Sequence, residues 1–180
     1  MPNWVKTVVK FKKLKKKDDL QIILDMIARP LEERDRMYNP EKTDWTIDFD
    51  RIIPEPREES DCPAEYIRTE DDHVGEDPDK PWFNWYKWHC TYWGTKWGAC
   101  DGYTKSGDTY IAFVFSTPWS VALPVIEKLA LLGYNIEVKY ADEDLGSNCG
   151  KMEYDVNSDK WKCSELENPY RFAKNLWDKY

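Results

Sequence analysis

The chain has 180 residues, with 26 Lys and Arg against 34 Asp and Glu, and a formal charge of -8. That length suits one compact domain with room for one long insertion, and the negative balance argues against non-specific affinity for nucleic acid or an anionic membrane over the molecule as a whole. Hydrophobic residues at 41%, ten Trp among them, exclude disorder of the whole chain.

No stretch approaches the roughly 20 apolar residues of a membrane span. The opening MPNWVKTVVKFKKLKKK lacks the apolar run of a signal peptide, so the cytoplasm is the expected location. Residues 1–17 carry seven Lys and no acid, while residues 41–80 carry fifteen acids against five bases and are punctuated by Pro54, Pro56, Pro63 and Pro78. Like charges repel and find few apolar anchors, so the acidic stretch is expected to run irregularly over the surface, held by Trp45, Ile47, Phe49, Ile52 and Ile53.

Asn3 to Phe11 is β-rich and predicts a strand. Asp18 and Gln21 then resemble a capping box ahead of a helical stripe, Leu20, Ile23, Leu24 and Ile27, that Pro30 should end. After the acidic stretch, residues 81–97 hold five Trp and read as a helix turning at Gly94, with Trp82, Trp85 and Trp88 spaced to share one face. Strands over 98–104 and 109–116 flank the turn signal Ser106-Gly107-Asp108, the second strand apolar on both faces. A helix follows to Leu132 with Gly133 as its C-terminal cap, then a strand over 134–140 with one wet face. Residues 150–163 form a hairpin turning at 157–159. The last segment is a short amphipathic helix with Tyr170, Phe172, Leu176 and Trp177 as contacts.

The order is β-α-β-β-α-β, the split βαβ arrangement of ferredoxin-like folds. The expected fold is therefore α+β, a four-stranded antiparallel sheet with two helices on one face, an insertion at about 30–97 after the first helix, and a C-terminal hairpin plus helix at 156–180 on the same domain.

Several phrases carry a resemblance: NWVKTVVKF at the start, FDRIIPEP at 49–56, NWYKWHCTYWGTKWGA at 84–99, FSTPWSVALPVIEKLA at 115–130 and VKYADEDLGSNCGKM at 138–152. The chain resembles the YubB-type ferredoxin-like domain family of phage and plasmid proteins over most of residues 1–155, with WGTKW and TPWS the most specific parts. The resemblance implies a mobile-element accessory protein on a ferredoxin-like fold, in the host cytoplasm if phage-encoded. It implies no activity.

Enzyme chemistry finds little footing. Asp142, Glu143 and Asp144 follow a strand end, with Glu127 as a further carboxylate, and could work as an acid/base pair or hold a cation. Only His73 and His89 offer imidazoles, His89 beside Cys90 and paired in principle with Cys100 or Cys62. Cys62, Cys90, Cys100, Cys149 and Cys163 show no metal-ligand spacing and read as buried or idle thiols, and no phosphate-cradling loop occurs. No cofactor, metal or catalytic residue is expected.

Two binding readings remain. Ferredoxin-like modules can stack nucleobases on sheet aromatics, which nominates Tyr103 and Tyr110 with Lys12, Lys13, Lys15, Lys16 and Lys17. The favoured reading is protein binding without catalysis. Asp61, Glu65, Glu70, Asp71, Asp72, Glu76 and Asp77, with Trp82 and Trp85, are expected to complement a basic groove, as an inhibitor of a host defence nuclease of anti-CRISPR or anti-restriction type does. The partner is then a host protein that handles nucleic acid.

Overall fold

Trp4–Lys12 forms β1, a central strand of a six-stranded antiparallel sheet. A computed structural model describes residues 2–15, 18–32, 43–72, 75 and 77–180. Lys16, Lys17, His73 and Glu76 lie outside them. After β1 come α1 (Asp19–Ile27), β2 (Ala28–Pro30), β3 (Trp45–Ile47), α2 (Phe49–Ile52), α3 (Trp85–Tyr92), β4 (Cys100–Gly107) and β5 (Tyr110–Pro118). The chain continues through α4 (Leu123–Leu129), β6 (Asn135–Asp142), β7 (Cys149–Asp155), β8 (Lys160–Ser164) and α5 (Pro169–Lys179). No helix among the described residues is long and apolar enough to cross a membrane.

The sheet order is β4-β5-β1-β6-β7-β8. Its first four members, with α1 and α4 as crossovers, are the ferredoxin-like core. The expected four strands become six because the hairpin β7–β8 adds to the edge at β6. The physical reason lies in its alternation: Met152 pairs with Val138 and Tyr154 with Ile136, so the inward residues of β7 continue the core face. A lone hairpin is marginal in water, whereas docking it also covers an open edge.

One face of the sheet presents Val5, Val9, Phe11, Phe113, Phe115, Ile136 and Val138 to Ile23, Leu24 and Ile27 of α1 and Val125, Ile126 and Leu129 of α4. The other face presents Val8, Tyr103, Ala112, Val114 and Ala141 to Ala173 and Leu176 of α5. This double cover is why β5 is apolar on both sides. Tyr170, expected as a contact of the last helix, is 57% exposed, and Ala173 is the buried residue instead.

Between α1 and β4 the chain departs from several expectations. Asp18 makes no side-chain cap bond, and Gln21 donates to Asp25 at 2.7 Å. Helix α1 stops at Ile27, because Ala28–Pro30 pairs antiparallel with Trp45–Ile47 and the Ile27 carbonyl accepts from Asp48 N–H at 2.8 Å. Asn84 caps α3 through Lys87 N–H, so Trp82 precedes the helix and does not share a face with Trp85 and Trp88. The β4–β5 turn is Asp108-Thr109, because Gly107 already pairs with Tyr110.

Aromatic edges seat this excursion on the sheet. Phe49 meets Trp93 at 5.8 Å and Phe115 at 5.5 Å in T-shaped contacts, and Trp88 meets Phe83 and Trp93 likewise. Gly102 on β4 permits the closest approach: a Cβ there would fall 2.0 Å from the Thr46 hydroxyl on β3.

Candidate functional site

Downstream of α2 the chain runs in two short 3-10 turns, Glu59–Asp61 and Ala64–Tyr66, which Pro54, Pro56 and Pro63 keep from extending into helix. Cys62 and Tyr66 point inward, and Glu58, Glu59, Asp61, Glu65, Glu70 and Asp71 point outward. These six side chains make no ion pair among the described residues. Asp72 and Asp77 differ. Asp72 accepts from Thr69 N–H and from the Asn84 amide, both at 2.7 Å, and Asp77 accepts from Asp79 N–H at 2.9 Å, so both brace the loop. Trp82 and Trp85 are half-buried, the Trp85 indole N–H bonded to the Gly75 carbonyl at 2.8 Å. The structure thus brings Asp61, Glu65, Glu70 and Asp71 onto one exposed excursion and assigns the other described members to its support.

The opposite sheet face carries the lysines, but they are engaged. Glu137 lies 3.9 Å from Lys12, 3.1 Å from Lys139 and 3.5 Å from Lys151, and Glu153 takes Lys12 and Lys151 as well. Lys10 sits 3.8 Å above the Tyr110 ring and Lys6 4.4 Å above Trp177. Burial lowers the affinity of the Lys6 ammonium for its proton, against the opposing charge of Asp101. Tyr103 is buried beneath α5, its hydroxyl donating to the Tyr180 carbonyl at 2.9 Å. The stacking platform expected from Tyr103 is therefore covered, whereas Tyr110 stays half-exposed beneath Lys10. Lys13 and Lys15 are exposed.

The carboxylates after β6 do not converge. Asp142 is buried and accepts from Asp144 N–H at 2.8 Å, and Glu143 accepts from Trp4 N–H at 3.1 Å, so each shapes the backbone. No group of His, Cys, Asp and Glu suited to a metal ion occurs among the described residues. Burial pushes the Cys62 thiol up, with Glu65 and Glu59 adding to it, the opposite of an activated nucleophile.

A half-buried polar cluster not anticipated from the sequence joins the acidic excursion to α3. Glu55 receives His89 Nε2 at 2.6 Å and Lys80 Nζ at 2.5 Å, while His89 Nδ1 donates to the Lys96 carbonyl at 2.9 Å. Burial pushes the Glu55 carboxyl up, but the hydrogen bonds and charges of His89 and Lys80 override it and hold it at about 2. Trp93 stacks flat on His89, with ring centres 3.9 Å apart. Both imidazole nitrogens face acceptors, so neither is left for Cys62, Cys90 or Cys100.

The WGTKW and TPWS segments meet at one end of the sheet. Ser120 Oγ donates to the Gly94 carbonyl at 2.6 Å, Thr95 to the Pro118 carbonyl at 3.1 Å, and Trp119 N–H to the Asn3 carbonyl at 2.8 Å. Together they hold Trp119 at a left-handed φ of 63°, costly for a large side chain, with the residue 50% exposed and its ring beside Trp97. Both phrases are visible in the sequence, but a bond between loops more than twenty residues apart has no local signature.

Residues 93–175 match the family described as a ferredoxin-like domain in Api92-like protein, which is less than half of the chain. The match runs through β7–β8 and most of α5, beyond the 155 residues over which the sequence phrases carried a resemblance. No curated protein and no solved structure matches the chain. Over residues 93–175 the chain is thus similar to a ferredoxin-like domain, in agreement with the strand order.

Proposed function

We propose that the protein is a non-catalytic binding module that docks the acidic face of residues 58–71 onto the basic groove of a nucleic-acid-handling protein. The observation that carries this reading is the contrast in pairing. Glu58, Glu59, Asp61, Glu65, Glu70 and Asp71 are exposed and their carboxylates form no ion pair among the described residues, whereas most lysines of the sheet face are neutralised or laid on rings. Unpaired carboxylates on a braced loop attract a cationic surface without first breaking internal bonds, which favours fast, salt-sensitive association. In the setting of a phage or plasmid accessory protein, the partner is a host defence nuclease, and the acids take the place of nucleic-acid phosphates. The same pairing disfavours the sheet face as a nucleic-acid platform, since binding there would require Glu137 and α5 to give up their contacts.

The test is a panel of restriction and CRISPR nucleases assayed for DNA cleavage with increasing protein. The reading predicts that at least one enzyme loses cleavage and regains it when Glu58, Asp61, Glu65 and Asp71 are all changed to Lys. Full cleavage by every enzyme, together with binding of single-stranded DNA or RNA, would instead favour the sheet face.

A further inference from the structure

Lys96 projects into a cluster of rings from three segments. Its Nζ lies 4.6 Å from the centre of Trp97, 5.6 Å from Trp119, 5.8 Å from Tyr86 and 6.0 Å from Trp85. The walls differ in orientation. Trp85 and Tyr86 stand at 89° to each other, and Trp97 and Trp119 lie within 26° of parallel. Four ring faces around one cation make a site of concentrated negative potential, the arrangement that recognises ammonium groups.

The enclosure is wider than a primary ammonium needs. Where this chain lays an ammonium directly on a ring, the separation is 3.8 Å for Lys10 on Tyr110. Three of the four walls around Lys96 stand about 2 Å farther back. An N-methyl group adds a C–N bond of about 1.5 Å in each direction, which brings a methylated ammonium into contact with walls that a bare one does not reach. Trp97 and Trp119 are exposed, and Lys96 hangs on a flexible stem, so the cluster opens to solvent once that side chain swings away. Trp119 is also held in its strained backbone conformation by the bonds described above.

The geometry points to an aromatic cage for a quaternary ammonium, occupied in the unliganded protein by the chain's own Lys96. The ligand is either a choline-like small molecule or an N-trimethylated lysine side chain, and Lys96 is a built-in competitor for it. The site is distinct from the acidic face, and its test reads a small molecule.

Choline and free Nε-trimethyllysine are titrated by calorimetry into the wild-type protein and the Lys96→Ala and Trp119→Ala variants, with 3,3-dimethyl-1-butanol as the uncharged isostere of choline. Removing the competitor should tighten binding of one of the two cations at least ~10-fold, while removing the half-exposed Trp119 wall should weaken it by a similar factor. The uncharged isostere should bind at least ~10-fold more weakly than choline. The tighter of the two cations identifies the source. No saturable binding to Lys96→Ala, equal binding of the isostere, or indifference to Trp119→Ala in a protein that melts like wild type would overturn the proposal.

Discussion

The lysines of the sheet face and the carboxylates of residues 58–71 are both clusters of like charge, yet they meet different surroundings. Glu137 and Glu153 draw in Lys12, Lys139 and Lys151, and rings take Lys6 and Lys10. The outward carboxylates of the excursion form no ion pair among the described residues. The difference follows from secondary structure. A strand places residues at every second position on one face, so diagonal cross-strand neighbours of opposite sign, such as Lys151 and Glu137, come within reach of each other. A chain of short 3-10 turns has no such lattice, and its seven acids over residues 57–72 have Arg57 and Arg68 as local cations, of which Arg57 is taken by Asp50. Charge that the fold consumes and charge that it leaves open are thus separable from coordinates, though not from net charge.

Glu55→Gln removes the charge and one of the two carboxylate oxygens that receive His89 and Lys80, and weakening two charge-assisted hydrogen bonds together should cost roughly 3 kcal/mol at neutral pH by thermal melting. The Glu55 carboxyl titrates lower in the folded protein than its ordinary value of 4.5. Its stabilisation is therefore complete above about pH 4.5 and lost as pH falls toward 2, so the wild-type and variant melting curves should converge over that window. A difference that stays constant down to pH 2 would show that Glu55 holds no such bonds.

Gly102→Ala probes how the excursion is seated. A methyl group 2.0 Å from the Thr46 hydroxyl forces β3 off β4, and a loss of about 2 kcal/mol is expected in denaturant unfolding. Glu137→Gln acts on the sheet face alone. Three lysines lose a charge partner at once, for about 1 kcal/mol at low ionic strength and less in 1 M salt, where screening reaches about 3 Å. The smallest effect is the most informative: changing Glu58, Asp61, Glu65 and Asp71 to Lys should leave stability within about 0.5 kcal/mol of wild type. A large loss there would mean that these acids serve the fold.

The alternation of β1 and β6, the apolar run of β5 and the stripe of α1 made the ferredoxin-like core legible, because these patterns are local properties of the chain. The fifth and sixth strands were not, since whether β7–β8 docks depends on Met152 and Tyr154 finding Val138 and Ile136 across the edge. The acidic excursion was legible as charge, but sorting Asp72 and Asp77 from Asp61 and Asp71 needed the positions of Asn84 and of the Thr69 and Asp79 amides. Nothing local marks Glu55 as the partner of a histidine 34 residues away. Nor does the sequence show that Lys96 is ringed by aromatics from three segments.

In the proposed docking mode the open charge, not the consumed charge, meets the partner. The decisive measurement is the affinity of an inhibited nuclease for wild-type protein, for the four-lysine variant of residues 58, 61, 65 and 71, and for a sheet-face variant in which Lys10 and Lys105, whose ammonium lies 5.0 Å from the centre of the Tyr180 ring, are changed to Glu. Docking through the acidic face predicts a loss of ~100-fold or more for the first variant and a change within about threefold for the second. A loss confined to the sheet-face variant, with the four-lysine protein binding as wild type, would contradict it.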